Sequence, residues 1–329
     1  TGLTNGTAYL FRVAARNEAG QGAYGQSGPV VPQVPAPAAV IGLPGNRQVA
    51  VSWTAPAVAA GTVITDYVID FSSDGGTSWT RFTDGQSTAT SATVTGLANG
   101  TSYLFRVAGE SGGVLGAFGE SMAVTPRTTA GAPTSVQGTS GNGQVSLAWT
   151  APLSNGGAAI TDYVVEYSSD SGVTWTSFAD GVSTTTSTTV TGLTNGTAYL
   201  FRVAAVNAAG ASDVGQSAAV TPRTTAGMPT GVAGTAGNAQ VTLAWTAPAV
   251  DGGTAITDYL VQYSINSGSS WATFSDGVSA ATTATVTGLA NGTTYLFRVA
   301  AVNAVGTGAF GQSAAVTPRT TAGAPTSVQ

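Results

Sequence analysis

Apolar and polar residues alternate with period two in short runs along the whole chain, the pattern of half-buried strands. In residues 144–149, QVSLAW, Val145, Leu147 and Trp149 fall on one face, with Gln144, Ser146 and Ala148 on the other. Residues 160–167, ITDYVVEY, place Tyr163, Val165 and Tyr167 together, opposite Asp162, Val164 and Glu166. In residues 199–206, Tyr199, Phe201, Val203 and Ala205 share a face and Arg202 points the other way. Clusters of Gly, Asn, Pro and Ser punctuate these runs, and no stretch carries the 3.6-residue period of a helix. The pattern predicts an all-β chain of antiparallel sandwiches, with seven short strands in about 95 residues.

The runs recur. Trp53, Trp149 and Trp245 are spaced 96 and 96 residues apart, and so are Trp79, Trp175 and Trp271. TGLTNGTAYLFRVAA at 1–15 returns in near-identical form at 95–109, 191–205 and 287–301. The first interval is 94 because VVPQVPAP (30–37) is two residues shorter than VTPRTTAGAP (124–133). The repeats predict a half-repeat at 1–32, full repeats at 33–126, 127–222 and 223–318, and the start of another at 319–329. The expected architecture is a linear array of which this chain is a window.

Composition narrows the chemistry. The 329 residues include no cysteine, histidine or lysine, and all ten cations are arginine. No disulfide, thiolate nucleophile, Schiff base or Lys–Asn isopeptide crosslink can form, and the usual general base and transition-metal ligand is missing. Charged residues make up 8% of the chain with a net charge of −5, against about 25% charged in an average soluble protein. Scattered arginines on an acidic chain do not make a nucleic-acid surface, and no apolar run is long enough to span a membrane as a helix.

Three segments together resemble the fibronectin type III domain, an immunoglobulin-like fold. They are W-x-A-P at Trp149, Ala151 and Pro152; I-x-x-Y-x-V-x-Y at 160–167; and G-L-x-N-G-T-x-Y-x-F-R-V-x-A-x-N-x-x-G at 192–210. The resemblance covers essentially the whole chain. It implies sandwiches of strands A to G, with Trp53, Trp149 and Trp245 closing strand B. It also implies that Tyr103, Tyr199 and Tyr295 form tyrosine corners that tie the E–F turn to the backbone. The Thr, Ser, Gly and Ala richness resembles repetitive bacterial surface proteins, and no Arg-Gly-Asp loop is present.

SSDGGTSW (72–79), SSDSGVTW (168–175) and SINSGSSW (264–271) resemble the Asp-box of sialidase propellers. Here they fall between strands C and C′ at a 96-residue interval, where a propeller needs one per blade. Asp74, Asp170 and Asn266 therefore read as hairpin residues whose side chains accept local backbone N–H groups while Gly takes positive φ. The NGT sequons at Asn5, Asn99, Asn195 and Asn291 match the glycosylation pattern, and they also suit a tight E–F turn. Asp66, Asp162, Asp258, Asp70 and Glu166 are expected to point outward singly, with Glu166 meeting Arg202, Asp70 meeting Arg106, and Gln262 opposite Arg298. Linkers without carboxylates argue against interdomain calcium. Tyr24, Phe118 and Phe310, at one position of the F–G loops where the third copy has Val214, suit either packing on the neighbouring linker or ligand binding.

The expectation is a non-enzymatic structural rod, stalk or filament element of an extracellular or cell-surface protein, without cofactor or metal. Its expected partners are neighbouring repeats or copies of itself in a fibre. Two alternatives stay open. One is an adhesin segment whose F–G loops bind surface carbohydrate or protein, and the other is a spacer within a secreted carbohydrate-active enzyme.

Overall fold

The computed structural model describes residues 2–320, so the predicted start of a further repeat lies outside the described residues from 321 onward. Strands and turns account for all regular structure in them, and no helix is long and apolar enough to cross a membrane. The chain divides into two compact units. One holds Thr1–Ala132, Pro152–Asp162 and Ala205–Asp213; the other holds Pro133–Ala151, Tyr163–Ala204 and Val214–Gln329.

In the first unit, residues 2–32 form two small ladders. β1 (Arg12–Val13) pairs with β4 (Gly25–Gln26), and β2 (Arg16–Asn17) pairs with β3 (Gly20–Gln21). The first full repeat follows with β5 (Ala38–Gly45), β6 (Gln48–Thr54), β7 (Asp66–Ser72), β8 (Thr80–Phe82), β9 (Ser91–Thr95), β10 (Leu104–Ser111), β11 (Val114–Leu115) and β12 (Gly119–Glu120). One sheet has the order β5-β6-β9; the other has β8-β7-β10-β11, with β12 also on β10. Alternation fixes the facing: β6 buries Val49, Val51 and Trp53 and exposes the residues between them. These side chains meet Tyr67, Ile69, Phe105 and Val107 from the opposite sheet in one core. Burying such side chains contributes roughly 1.5–3 kcal/mol each.

The second repeat has β13 (Thr134–Gly141), β14 (Gln144–Thr150), β15 (Ile160–Ser168), β16 (Thr176–Phe178), β17 (Ser187–Thr191), β18 (Leu200–Asn207) and β19 (Gly210–Gln216). The third has β20 (Thr230–Gly237), β21 (Gln240–Thr246), β22 (Ile256–Ser264), β23 (Ala272–Phe274), β24 (Thr283–Thr287), β25 (Leu296–Asn303) and β26 (Gly306–Gln312). Each repeat contributes a three-stranded sheet (β13-β14-β17, β20-β21-β24) and a four-stranded sheet (β16-β15-β18-β19, β23-β22-β25-β26). This is the seven-stranded antiparallel sandwich. In the third repeat Trp245 meets Tyr259 edge-on with ring centroids 5.1 Å apart, in a core shared with Val241, Leu243, Phe297 and Val299.

The larger sheet of each full repeat carries the arginine of β10, β18 or β25 on its outer face. The strand's inner residues are fully buried (Phe105, Val107, Phe201, Val203, Phe297, Val299). The intervening Arg106, Arg202 and Arg298 are only partly covered and so remain available for surface chemistry.

Candidate functional site

A recurrent polar and aromatic surface is built around these arginines. The Arg106 guanidinium lies 4.3 Å from the Trp79 ring and 4.2 Å from Phe118. Arg298 is held the same way between Trp271 at 4.3 Å and Phe310 at 4.2 Å. Arg202 lies 4.3 Å from Trp175, and Arg12 lies 4.4 Å from Tyr24. A cation against an aromatic face contributes about 0.5–2 kcal/mol, depending on its exposure. Tyr24, Phe118 and Phe310 thus pack on an arginine of their own sheet, a contact that the sequence reading of linker packing or ligand binding did not include. The physical cause is register. Phe310 pairs with Ala300, and Arg298 with Gln312, so ring and guanidinium share the outer face.

The expected pairs of Asp70 with Arg106, Glu166 with Arg202 and Gln262 with Arg298 are all present, but Asp70 is not the outward, single carboxylate that was expected. Asp70 is only 4% exposed. It is the register partner of Arg106 on one side and of Arg81 on the other. Its carboxylate accepts from Arg81 Nε at 2.6 Å, Arg106 Nε at 3.0 Å and Arg106 Nη2 at 2.9 Å. In the second repeat Glu166 accepts from Arg202 Nε at 2.6 Å, and in the third the neutral Gln262 Oε1 accepts from Arg298 Nε at 2.8 Å. Asp84 has its carboxyl pushed up by burial and by the charge of Asp66, and Asp276 by burial and Asp258. Asp66 Oδ1 is itself occupied by the Ser87 N–H at 2.8 Å. No group of three or more His, Cys, Asp or Glu side chains converges among the described residues.

Asp74 and Asp170 serve their hairpins. Asp74 accepts from Ser72 Oγ at 2.7 Å, from Ser78 N at 2.9 Å and from Ser78 Oγ at 2.6 Å. The Ser78 hydroxyl, followed by the Ser78 N–H, holds its carboxyl down at about 2. Asp170 is lowered in the same way, first by the Ser168 hydroxyl. Asn266 keeps the pattern without charge: its Oδ1 accepts from Ser264 Oγ and Ser270 N, and its Nδ2 donates to Ser270 Oγ at 2.8 Å. Gly76, Gly172 and Gly268 follow at φ near +90°, a conformation that favours glycine. Carboxylates committed to so many local donors are poorly placed to act as catalytic bases.

The tyrosine hydroxyls close the opposite corner. Tyr103 Oη accepts the Ala98 N–H at 3.1 Å, Tyr199 that of Thr194 at 3.1 Å and Tyr295 that of Ala290 at 3.0 Å. The sequon asparagines have a structural role that sequence reasoning missed. Asn195 Oδ1 accepts the Gly143 N–H at 2.9 Å while its Nδ2 donates to Asn142 Oδ1 at 2.8 Å, stapling the β13–β14 turn to this corner. Asn99 bonds Arg47 N and Asn46 in the same way, and Asn291 bonds Ala239 N and Asn238. Only the recurrence of Asn142 and Asn195 at 96-residue spacing hinted at a pair.

A groove of ≈ 740 Å³ lies within the second unit, lined by Asn142, Asn195, Thr224, Pro248 and Asp251 among others. Its lining offers amides, one carboxylate and backbone, with no cation or nucleophile beyond hydroxyl.

The fibronectin type III domain model matches residues 36–125, 131–223 and 228–318. This chain belongs to the fibronectin type III family. It is 29% identical over 325 residues to M-protein of striated muscle from Gallus gallus, covering 93% of this chain and 22% of that protein. It is 36% identical over 172 residues to Chitinase A1 of Niallia circulans, covering 49% of this chain and 22% of the chitinase. The chain therefore spans about a fifth of the length of either relative. The crystal structure of chicken CNTN1 FN1-FN3 domains aligns with 86% of this chain at 18% identity and a TM-score of 0.29. Tandem fibronectin type III repeats support a structural or linker role, and together with the muscle-protein relative they point to a non-catalytic domain.

Proposed function

We propose that these fibronectin type III repeats are a stalk or filament element of a bacterial protein displayed at the cell surface or secreted, with neighbouring repeats or further copies as partners. One observation carries this reading: two successive junctions are built from the same bonds. Thr128 N donates to Gly156 O at 2.9 Å and Gly131 N to Ser154 O at 2.9 Å; 96 residues on, Thr224 N donates to Gly252 O at 2.8 Å and Gly227 N to Val250 O at 2.9 Å. Repeated joints suit a task set by length and spacing, whereas ligand sites differentiate one repeat from the next. The low charge and absence of lysine fit an extracellular polymer.

The test is surface labelling of intact source cells with an antibody to the repeats, paired with a glycan array on the purified chain. Labelling without glycan capture supports the stalk. Labelling confined to lysed cells ends it. Glycan capture lost on Phe118→Ala would make the segment an adhesin.

The match to Chitinase A1 favours one second reading, a spacer within a secreted carbohydrate-active enzyme. The intact mass and sequence of the native protein decide between them, because the spacer reading requires a catalytic domain on the same chain.

A further inference from the structure

We propose that Asn207 and Asn303 are locks that hold successive repeats at a fixed setting, and that the linker before the first full repeat is chemically unable to form this lock. Both asparagines are buried, at 5% exposure. Asn207 Nδ2 donates to the carbonyl of Thr128 in the preceding linker at 2.9 Å and to the carbonyl of Asn155 in its own repeat's loop at 2.7 Å. Its Oδ1 accepts the Ala209 N–H at 2.8 Å, so the whole amide is used. Asn303 repeats this with Thr224 O at 2.9 Å, Asp251 O at 2.8 Å and the Val305 N–H at 2.9 Å. A buried amide with every donor and acceptor satisfied specifies one arrangement, because any displacement strands polar groups.

Glycines tighten the same joints. A Cβ on Gly157 would stand 2.4 Å from Gly100 N, and one on Gly253 would stand 2.3 Å from Gly196 N. Each pair brings the E–F corner of one repeat against the loop of the next, backbone to backbone. Only glycine permits this approach.

The first linker lacks the parts. Val34 takes the buried place of Ala130 and Ala226. Pro37, Pro133 and Pro229 present their carbonyls to Gly119, Gly215 and Gly311 alike, which fixes the alignment. The two residues missing from 30–37 are then the counterparts of Thr128 and Thr129, so the carbonyl that the lock captures is gone. Pro35 stands where Gly131 donates its N–H, and proline has none. Ser111 stands where Asn207 and Asn303 do, and a hydroxyl has a single hydrogen to donate. The chain thus holds two locked junctions and one compliant one. This inference concerns stiffness, and the surface role is tested separately by labelling intact cells, so the failure of one is distinguishable from the failure of the other.

The chain has no cysteine, so paired cysteines can be spin-labelled cleanly. Distances are measured in the whole chain between Ser91→Cys and Ser187→Cys, and between Ser187→Cys and Thr283→Cys. The wild-type background is expected to give narrow distributions for both pairs. Asn207→Ser should broaden the first and Asn303→Ser the second, with loss of exchange protection at Thr224 N–H and Gly227 N–H of about tenfold in the latter. Serine is the residue that the first repeat carries there, so folding should survive, checked by the thermal melt. Two further variants avoid the buried asparagine. Gly253→Ala should broaden the second pair, and deletion of Thr128 and Thr129 with Gly131→Pro should broaden the first. Broad distributions in the wild-type background, or narrow ones that persist through Asn207→Ser and Asn303→Ser, would overturn the lock.

Discussion

Tyr199 Oη accepts the backbone N–H of Thr194 at 3.1 Å across a five-residue loop, while its ring lies 6.0 Å from Tyr167 and 6.3 Å from Phe201. The residue joins a core contact to a corner bond. Tyr199→Ala should therefore cost on the order of 3–5 kcal/mol, from lost aromatic burial and a stranded amide together. Tyr199→Phe keeps the ring and should cost about 1–2 kcal/mol. Chemical denaturation of the two variants checks the split. Equal losses would show that the corner bond, rather than burial, dominates.

Acid sensitivity should follow the charged hairpins. The Asp74 carboxyl is held at about 2, below its ordinary 3.8, chiefly by the Ser78 hydroxyl. A folded-state value below the unfolded one means stabilisation that is present above about pH 4 and lost as pH falls toward 2. Asp170 is depressed in the same direction. Asp74→Asn and Asp170→Asn, on the precedent of Asn266, should melt near wild type at pH 7 and lose less stability between pH 4 and 2. A steeper acid loss in the double variant would contradict the assignment.

Val214 is 44% exposed and stands where Phe118 and Phe310 lie on their arginines. Val214→Phe should seat a ring on the free side of the Arg202–Trp175 stack and raise stability by about 0.5–1 kcal/mol. Denaturant midpoints of the variant and of Val214→Phe with Arg202→Gln test this. A gain that survives loss of the guanidinium would come from apolar burial instead.

Period-two alternation and turn residues made the sandwich, its inner faces and the hairpin role of Asp170 legible, because each is local. The residues that connect distant segments were not. Asn195 meets Gly143 from 52 positions away, and Asn207 meets Thr128 from 79; alternation says which face a residue occupies but not which loops meet. The contact of Phe310 with Arg298 was hidden for a subtler reason. Counting back from the Asn303–Gly306 pair would set it opposite the core-facing Val299. A bulge between Ala300 and Val302 shifts the register by one and sends the ring outward, onto Arg298, and a one-residue slip reverses every side chain beyond it.

The Asp70 cluster allows a sharper test of which contacts matter. Two arginines share one nearly buried carboxylate, but the Arg81 side chain is 53% exposed and that of Arg106 is 25% exposed. Solvent screens the first more strongly, and exposed pairs contribute only about 0.2–1 kcal/mol. Arg106 also makes two bonds to Asp70 where Arg81 makes one. Double-mutant cycles with Asp70→Asn should therefore give a larger coupling to Arg106→Gln than to Arg81→Gln, although the Arg81 contact is the shorter at 2.6 Å. Raising ionic strength should erode the Arg81 coupling first. Asp70→Asn alone should cost about 1–2 kcal/mol, because Gln262 in the third repeat shows that a neutral acceptor can hold the equivalent arginine. A coupling to Arg81 that equals or exceeds that to Arg106 would mean that bond length, not desolvation, sets the strength of these pairs.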